Sequence, residues 1–173
     1  MKQSKFLSTL LIIFVAVFAV GVGLKVYWSM ANSKPVTPKL AYVLRPSKTE
    51  IKVGEHVTVP VYLTGDDTPR VSAFDIKFNY DTTKLKLVSA VPGTFFDKYL
   101  TVKWDQKTSW FALAMNPSTK KTPPTLTSPI LTLEFIGVQK TDSTAVSTGV
   151  STVYVTETGG FQPTSDSTNF IIK

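Results

Sequence analysis

The chain has 173 residues, no cysteine, one histidine and a formal net charge of +7. Without cysteine it offers no disulfide, and one imidazole cannot complete a zinc cluster, so its stability must come from an apolar core. Five of the nineteen basic residues lie at or before Lys39 and all twelve acidic residues follow it, which leaves a net charge of +2 beyond that point. No basic stripe interleaved with aromatic residues is present, so the charge does not indicate nucleic-acid binding.

The first predicted element is an uncharged apolar segment of nineteen residues, Phe6 to Leu24. At about 1.5 Å per residue, a helix of this length reaches roughly 28 Å, close to the hydrocarbon thickness of a bilayer. We expect a single-pass membrane anchor, and because Lys2 and Lys5 precede it, the N-terminus is expected to stay in the cytoplasm while the rest is exported. The alternative is a secretory signal that is cleaved after Ala31 and releases a secreted domain.

The expected organisation therefore has three parts. Residues 1–28 form a cytoplasmic tip and transmembrane anchor, or an uncleaved signal. Residues 29–39 contain two prolines and small polar residues without periodicity, which is typical of a short linker. Residues 40–173 form one extracellular domain.

Short segments of alternating apolar and polar residues predict strands throughout residues 40–173, and clusters of Gly, Pro, Asn, Asp and Ser separate them. Eight or nine such strands without an amphipathic helix predict an all-β fold, a jelly-roll-like antiparallel β-sandwich. The predicted strand segments, in chain order, are KLAYVLRP, HVTVPVYLT, VSAFDIKFNY, KLKLVSAV, YLTVKWD, TSWFALAM, PILTLEFIGV, STVYVTE and NFIIK.

Two of these segments allow more detailed expectations. In VSAFDIKFNY, from Val71 to Tyr80, alternate side chains predict one face packed in the core and one face that carries Asp75 and Lys77. In HVTVPVYLT, Pro60 cannot donate a backbone hydrogen bond, so we expect this strand at a sheet edge or with a bulge at the proline. The residues expected to point inward in that strand are Val57, Val59, Val61 and Leu63.

Catalytic constellations are missing from the sequence. His56, the one histidine, stands at the head of a predicted strand without a nucleophile motif nearby. Asp66 and Asp67 lack the ligand spacing of a calcium loop and are read as turn formers. We therefore expect no enzyme activity, no cofactor and no metal site. The carboxylates that a glycosidase could in principle use, although no spacing selects a pair, are Asp75, Asp81, Glu134 and Glu157.

Aromatic residues in strand segments leave a carbohydrate-binding function open. Trp104, Trp110 and Tyr154 fall in predicted strands, and Tyr62 lies on the predicted outward face of its strand. A planar row of such rings could bind polysaccharide, while packing within the protein explains them equally simply.

The segment FDIKFNYDTTKLKLVSAVPG resembles the cohesin family, whose members bind dockerin modules in cellulosomes and related cell-surface assemblies. The matching pattern is an alternating strand that ends in Tyr80 and Asp81, a turn, Leu85, an apolar strand, and then Pro92 and Gly93. Asp81 is expected to cap the turn with its carboxylate, since a short acidic side chain accepts hydrogen bonds from the backbone that follows it.

A second motif, VTETGGF, resembles the family's strand in which an acidic residue, here Glu157, precedes Gly159 and Gly160. The resemblance covers residues 40–173. It implies a non-enzymatic module that binds a dockerin-type protein, with a possible role in polysaccharide binding or degradation. A direct carbohydrate-binding module and an architectural cell-surface protein are the alternatives.

The resemblance also implies which residues contact the partner. Known cohesins present a pair of polar strand residues to a dockerin helix, and Asp75 corresponds to the acidic member, while Ala73 stands in place of its asparagine partner. Trp104 falls near the position of an aromatic contact. The implied partner-binding residues are Ala73, Asp75, Lys77, Trp104 and Glu157.

Overall fold

The computed structural model of the protein describes residues 39–66, 70–105, 107–116, 125–155 and 159–173. The predicted membrane segment, the linker up to Pro38, and Glu157 lie outside these residues. Within the described ranges all regular structure is β, and no helix there is long and apolar enough to cross a membrane.

Twelve strands are present in these ranges, and each of the nine predicted segments contains one. The three strands outside those nine segments are Glu50–Ile51, Thr141–Thr148 and Gly159–Phe161. The strands are β1 (Leu40–Leu44), β2 (Glu50–Ile51), β3 (His56–Gly65), β4 (Val71–Tyr80), β5 (Leu85–Pro92), β6 (Tyr99–Asp105), β7 (Trp110–Met115), β8 (Leu131–Gly137), β9 (Thr141–Thr148), β10 (Thr152–Val155), β11 (Gly159–Phe161) and β12 (Ser167–Ile172).

Two sheets face each other and form the predicted sandwich. The four-stranded sheet has the order β1-β3-β8-β5. The eight-stranded sheet has the order β11-β10-β4-β9-β12-β2, and β7 pairs with β4 and carries β6 at its outer edge. All pairs between these strands are antiparallel except β2 with β12, which is parallel. Strand β4 is the centre of the larger sheet because it contacts β10 and β9 along one edge and β7 along the other.

The core lies between the inner faces of the two sheets. Inward-pointing side chains alternate along β3 as predicted, and Val57, Val59, Val61 and Leu63 are all buried. The loop after β5 adds Phe95 to the core, where its ring meets that of Phe74 edge-to-face with centroids 5.2 Å apart. The described core residues form one cluster within residues 38–173, a compact unit of the kind that folds on its own.

The expectation that Pro60 marks an edge strand or a bulge is wrong. Strand β3 lies between β1 and β8, and its pairing runs through Pro60 without a change of register. The proline is tolerated because β1 ends at Leu44, which lies opposite Val61. The Pro60 carbonyl accepts a hydrogen bond from the Arg45 amide at 3.0 Å on that side, and the nitrogen of a strand residue points to the same side as its carbonyl. The missing N–H therefore faces a position beyond the end of the neighbouring strand.

Strand β9 was missed because its inward residues are mostly not apolar. Thr144, Val146 and Thr148 are buried, whereas the residues between them are exposed or half-buried. Two threonines among three inward positions produce no hydrophobic alternation in TDSTAVST, so sequence periodicity does not mark the strand. The pairing with β4 and β12 places it instead.

Candidate functional site

Four strands of the eight-stranded sheet, in the order β10-β4-β7-β6, present a continuous outer face. Register fixes which residues share it, because directly opposed residues in an antiparallel pair point to the same side. Asp75 lies opposite Ala112 on β7 and opposite Thr152 on β10. The residues on this outer face are Thr152 and Tyr154 of β10; Ala73, Asp75 and Lys77 of β4; Trp110, Ala112 and Ala114 of β7; and Thr101, Lys103 and Asp105 of β6.

Asp75 is held in place at the middle of the outer face. The indole Nε1 of Trp110 donates a hydrogen bond to Asp75 Oδ1. Trp110 lies opposite Lys77, so the indole reaches diagonally across the strand pair to the carboxylate. Asp75 is only partly exposed, and its second oxygen has no hydrogen bond from the described residues, so it can accept one from another donor. This arrangement presents a fixed carboxylate to a ligand.

Small side chains surround Asp75 and make the middle of the outer face flat. Ala73 lies opposite Ala114, and Ala112 lies opposite Asp75. Tyr154, opposite Ala73 on β10, is 43% exposed and stands at one side of this area. A flat area of alanines lets the backbone of a partner approach closely, while the longer side chains around it supply contacts at the rim.

Trp104, one of the residues implied to contact the partner, does not share the outer face with Asp75. Trp104 is opposite Phe111, which is a core residue, so its side chain is on the inner side of the sheet. The two rings are stacked, with centroids 5.8 Å apart and planes 13° apart. Trp104 covers Phe111 at the edge of the sandwich, and Trp110 is the tryptophan that contacts Asp75.

The alternation of apolar residues in the two segments indicates that Trp104 and Trp110 lie on opposite faces of the sheet. In TSWFALAM, Phe111, Leu113 and Met115 share one face and are buried, which leaves Trp110 on the other. In YLTVKWD, Trp104 shares its side with Val102, which lies opposite the buried Leu113. A period of two gives the observed faces along β7 and from Thr101 onward in β6, and the register shift between Tyr99 and Thr101 interrupts it before that point.

The turn motif of the cohesin resemblance has the expected structural role. Asp81 Oδ1 accepts hydrogen bonds from the Thr83 amide at 2.8 Å and the Thr83 hydroxyl at 2.6 Å, and these bonds lower the pKa of the Asp81 carboxyl. Leu85, just after the turn, is fully buried. Tyr80, just before it, packs edge-to-face on Phe135 with ring centroids 5.1 Å apart. These residues connect β4 to the opposite sheet.

Glycine is required in the two glycine motifs because neighbouring atoms leave no room for a side chain, or because the backbone is in the left-handed region. A Cβ on Gly93 would lie 2.0 Å from the Pro129 carbonyl oxygen, so only glycine fits after Pro92, the last residue of β5. A Cβ on Gly160 would lie 2.8 Å from Thr152 Cγ2, and Gly160 pairs directly with Tyr154 on the outer face. Gly159 has φ +95°, in the left-handed region that favours glycine.

His56, at the start of β3, contacts the side chain of Glu134. His56 Nδ1 lies 2.7 Å from Glu134 Oε1, and the Ser89 hydroxyl donates to Glu134 Oε2 at 2.8 Å; both contacts lower the pKa of Glu134. The histidine is thus an exposed strand residue paired with a carboxylate.

Tyr62 belongs to the four-stranded sheet and has the Arg45 guanidinium over its ring at 5.3 Å from the centroid. The aromatic residues considered for carbohydrate binding are therefore divided between separate surfaces.

Metal binding finds no support in the described part of the chain, where no three His, Asp or Glu side chains come together in a way that could hold an ion.

Comparisons with known proteins agree with this architecture. A cohesin module from a family 33 glycoside hydrolase of Clostridium perfringens ATCC13124 matches with a TM-score of 0.63 and 10% identity, over 79% of this chain and 98% of that one. The third ScaB cohesin of R. flavefaciens, solved in complex with a group 1 dockerin, matches with a TM-score of 0.62 and 16% identity, over 81% and 99%. A non-cellulosomal cohesin from the archaeon Archaeoglobus fulgidus gives 0.59 and 13%, over 78% and 91%.

At these identities the structural matches establish the fold. No curated protein sequence matches the chain. The family follows from the sequence itself, because the model of the cohesin domain matches residues 43–170, which includes every strand from β2 to β11, the end of β1 and most of β12. The chain therefore belongs to the cohesin domain family.

Proposed function

We propose that this protein is a non-enzymatic binding module that holds a dockerin-type partner on the outer face of β10-β4-β7-β6. The observation that carries the proposal is the fixed carboxylate of Asp75, held by Trp110 in a flat area of alanines. Membership of the cohesin family supports the class of partner, and the similar ScaB cohesin was solved in complex with a dockerin.

The chemistry of the outer face suits a helical protein surface. A helix can lie across Ala73, Ala112 and Ala114 because these side chains do not hold its backbone away. The free oxygen of Asp75 accepts one hydrogen bond from the partner, and charge-assisted bonds of this kind are the stronger ones. Lys77 is exposed near Asp75 and adds a donor. A flat centre with polar groups at its rim is the usual anatomy of a specific protein interface.

The apolar segment from Phe6 to Leu24 is proposed to anchor the module in a membrane with the domain outside the cell. The module would then recruit its partner to the cell surface. Enzymes that degrade polysaccharides are one class of partner that this arrangement serves, and the module itself then needs no catalytic residue.

The proposal is tested by affinity capture from the native secretome on immobilised residues 38–173. We expect recovery of a protein with paired calcium-binding helical loops, and loss of that protein when calcium is chelated, because such loops fold around the ion. Asp75→Ala should cost about 2–5 kcal/mol of binding free energy, since it removes a charge-assisted bond in an interface.

Two variants control this experiment. Asp75→Asn keeps an acceptor for Trp110 but replaces the second carboxylate oxygen by a donor NH2 group, so a loss of binding in both variants identifies the charged acceptor, rather than the contact with Trp110, as the cause. Asp142→Ala removes an exposed carboxylate on β9, outside the outer face, and should leave capture unchanged. Retention of the domain on cellulose or chitin, with no such protein recovered, would contradict the proposal and favour direct carbohydrate binding.

A further inference from the structure

Strand β6 has an edge without a strand partner in the described part of the chain. It pairs with β7 only, and its other side has no neighbouring strand there. Three of the nine large apolar side chains that are exposed in that part lie on this one strand, Leu100 at 63%, Val102 at 49% and Trp104 at 37%. An edge of this kind, with free backbone groups and exposed apolar residues, is a template for pairing with another strand.

The remaining edges of the described sheets carry features that oppose strand addition. The Tyr42 amide of β1 donates to the Thr164 carbonyl at 3.1 Å, so that edge is already bonded. Strand β5 has a register shift after Leu87 and ends in Pro92. Strands β2 and β11 have two and three residues. Strand β6 has a register shift near its start, between Tyr99 and Thr101, and does not end in a proline; from Thr101 to Asp105 it pairs with β7 in unbroken register.

Charge indicates which strand fits this edge. Lys103 and Asp105 both lie on the outer face of β6, two residues apart. Lys103 makes no ion pair with any described residue. In an antiparallel pair of two β6 strands related by a two-fold axis at Trp104, Lys103 of each copy lies directly opposite Asp105 of the other. The strand is thus complementary to itself, whereas a lysine at an edge discourages pairing with strands that lack a matching acid.

We propose that β6 pairs with β6 of a second copy of this chain and joins the two eight-stranded sheets into one. On the outer side, two Lys103–Asp105 pairs form across the axis. On the inner side, the exposed indole of Trp104 meets its counterpart and loses contact with water. Asp105 Oδ1 and Oδ2 already accept bonds from the Lys107 amide and the Thr108 hydroxyl, and each carboxylate oxygen can accept a second one.

The pairing does not depend on the proposed partner, but it has a consequence for it. An axis perpendicular to the sheet keeps both outer faces on the same side. Two docking faces then lie next to each other, and a partner with two binding modules could occupy both with increased avidity.

Sedimentation of residues 38–173 over a range of concentrations tests the proposal. The wild-type domain should show a monomer–dimer equilibrium. Lys103→Glu turns both ion pairs into like-charge pairs and should weaken the dimer by about tenfold or more. Lys86→Glu is the matched control, because Lys86 is an exposed lysine on the other long edge strand, β5, and it should leave the equilibrium unchanged.

A charge exchange adds a gain of function to the test. Asp105→Lys alone should weaken the dimer in the same way, while an equimolar mixture of Lys103→Glu and Asp105→Lys chains should form a heterodimer, since each acid then faces a lysine. Circular dichroism establishes that each variant folds, and if Asp105→Lys does not, the comparison of Lys103→Glu with Lys86→Glu still decides. A wild-type domain that stays monomeric at the highest concentration, a dimer that Lys103→Glu leaves intact, or two folded variants that fail to combine would overturn the proposal.

Discussion

The inner and outer faces of the hairpin formed by β6 and β7 carry two tryptophans in opposite roles. On the inner face, Trp104 stacks on Phe111 and completes the core at the edge of the sandwich. On the outer face, Trp110 donates a directed hydrogen bond to Asp75. The two residues are six positions apart in the sequence, yet only one of them belongs to the candidate binding surface.

Within this single hairpin, the inner-face residues stabilise the core and the outer-face residues belong to the candidate binding surface. Contacts on the inner face are apolar and depend on close packing, so a shortened side chain leaves a cavity. The outer-face contact is polar, partly exposed and directional, so it fixes an orientation and contributes less to stability. Substitutions on the two faces should therefore give clearly different results.

The largest effect is expected for Phe111→Ala on the inner face. Phe111 is 2% exposed and also meets Phe78 edge-to-face, with centroids 5.5 Å apart. Removal of the ring should lower the free energy of unfolding by about 3–5 kcal/mol, which is the usual range for a buried phenylalanine. Urea denaturation of residues 38–173, followed by circular dichroism, measures it.

The matched control is Ala112→Ser, one residue further along on the outer face. It should change the free energy of unfolding by less than about 0.5 kcal/mol, as is usual for surface positions. Equal losses in the two variants would show that the hairpin does not separate the faces as described.

A smaller effect is expected for Trp110→Phe on the outer face. Phenylalanine keeps an aromatic ring but cannot donate to Asp75, so the free energy of unfolding should fall by about 1 kcal/mol. A double-mutant cycle with Asp75→Ala isolates the contact, because the effect of Trp110→Phe should shrink when the acceptor is absent. In the same cycle Trp104→Phe should cost equally in both backgrounds. Strictly additive effects of Trp110→Phe and Asp75→Ala would mean that the hydrogen bond does not contribute.

Much of the fold could be predicted because, in strands with strong alternation, the sequence indicates which side chains are buried and which are exposed. Val57, Val59 and Val61 in β3 are buried as the pattern indicates, and Asp81 caps its turn with the predicted bonds. Both features are local, since a period of two and an Asx turn depend only on neighbouring residues.

The candidate site could be predicted only in part, because it depends on register between strands that are distant in the sequence. Asp75 and Trp110 are 35 residues apart, and neither segment alone indicates which residues of β7 pair with which residues of β4. Trp104 is a different case. The cohesin resemblance implies an aromatic contact near it, whereas its pairing with Phe111 directs its side chain to the inner face.

The smallest effect concerns Asp105, at the outer-face end of β6. Its carboxylate accepts bonds from the Thr108 hydroxyl at 2.8 Å and the Lys107 amide at 2.9 Å, and these bonds hold the pKa of Asp105 below its usual value. Because the folded-state pKa is depressed, the associated stability is fully present above the unfolded-state pKa of about 3.9 and is lost as the pH falls through the folded-state value.

Thr108→Ala removes the first of these bonds and should raise the pKa of Asp105 toward that of a free aspartate. Carbon-detected NMR titration of the carboxyl group at a dilution that keeps the domain monomeric measures the shift, with Asp81 as an internal reference whose pKa is lowered separately by Thr83. The variant should unfold at a lower urea concentration than the wild type at neutral pH, and this difference should become smaller at pH 3, since the bond stabilises only the ionised carboxylate. An unchanged Asp105 titration in Thr108→Ala would show that the hydroxyl does not hold the carboxylate.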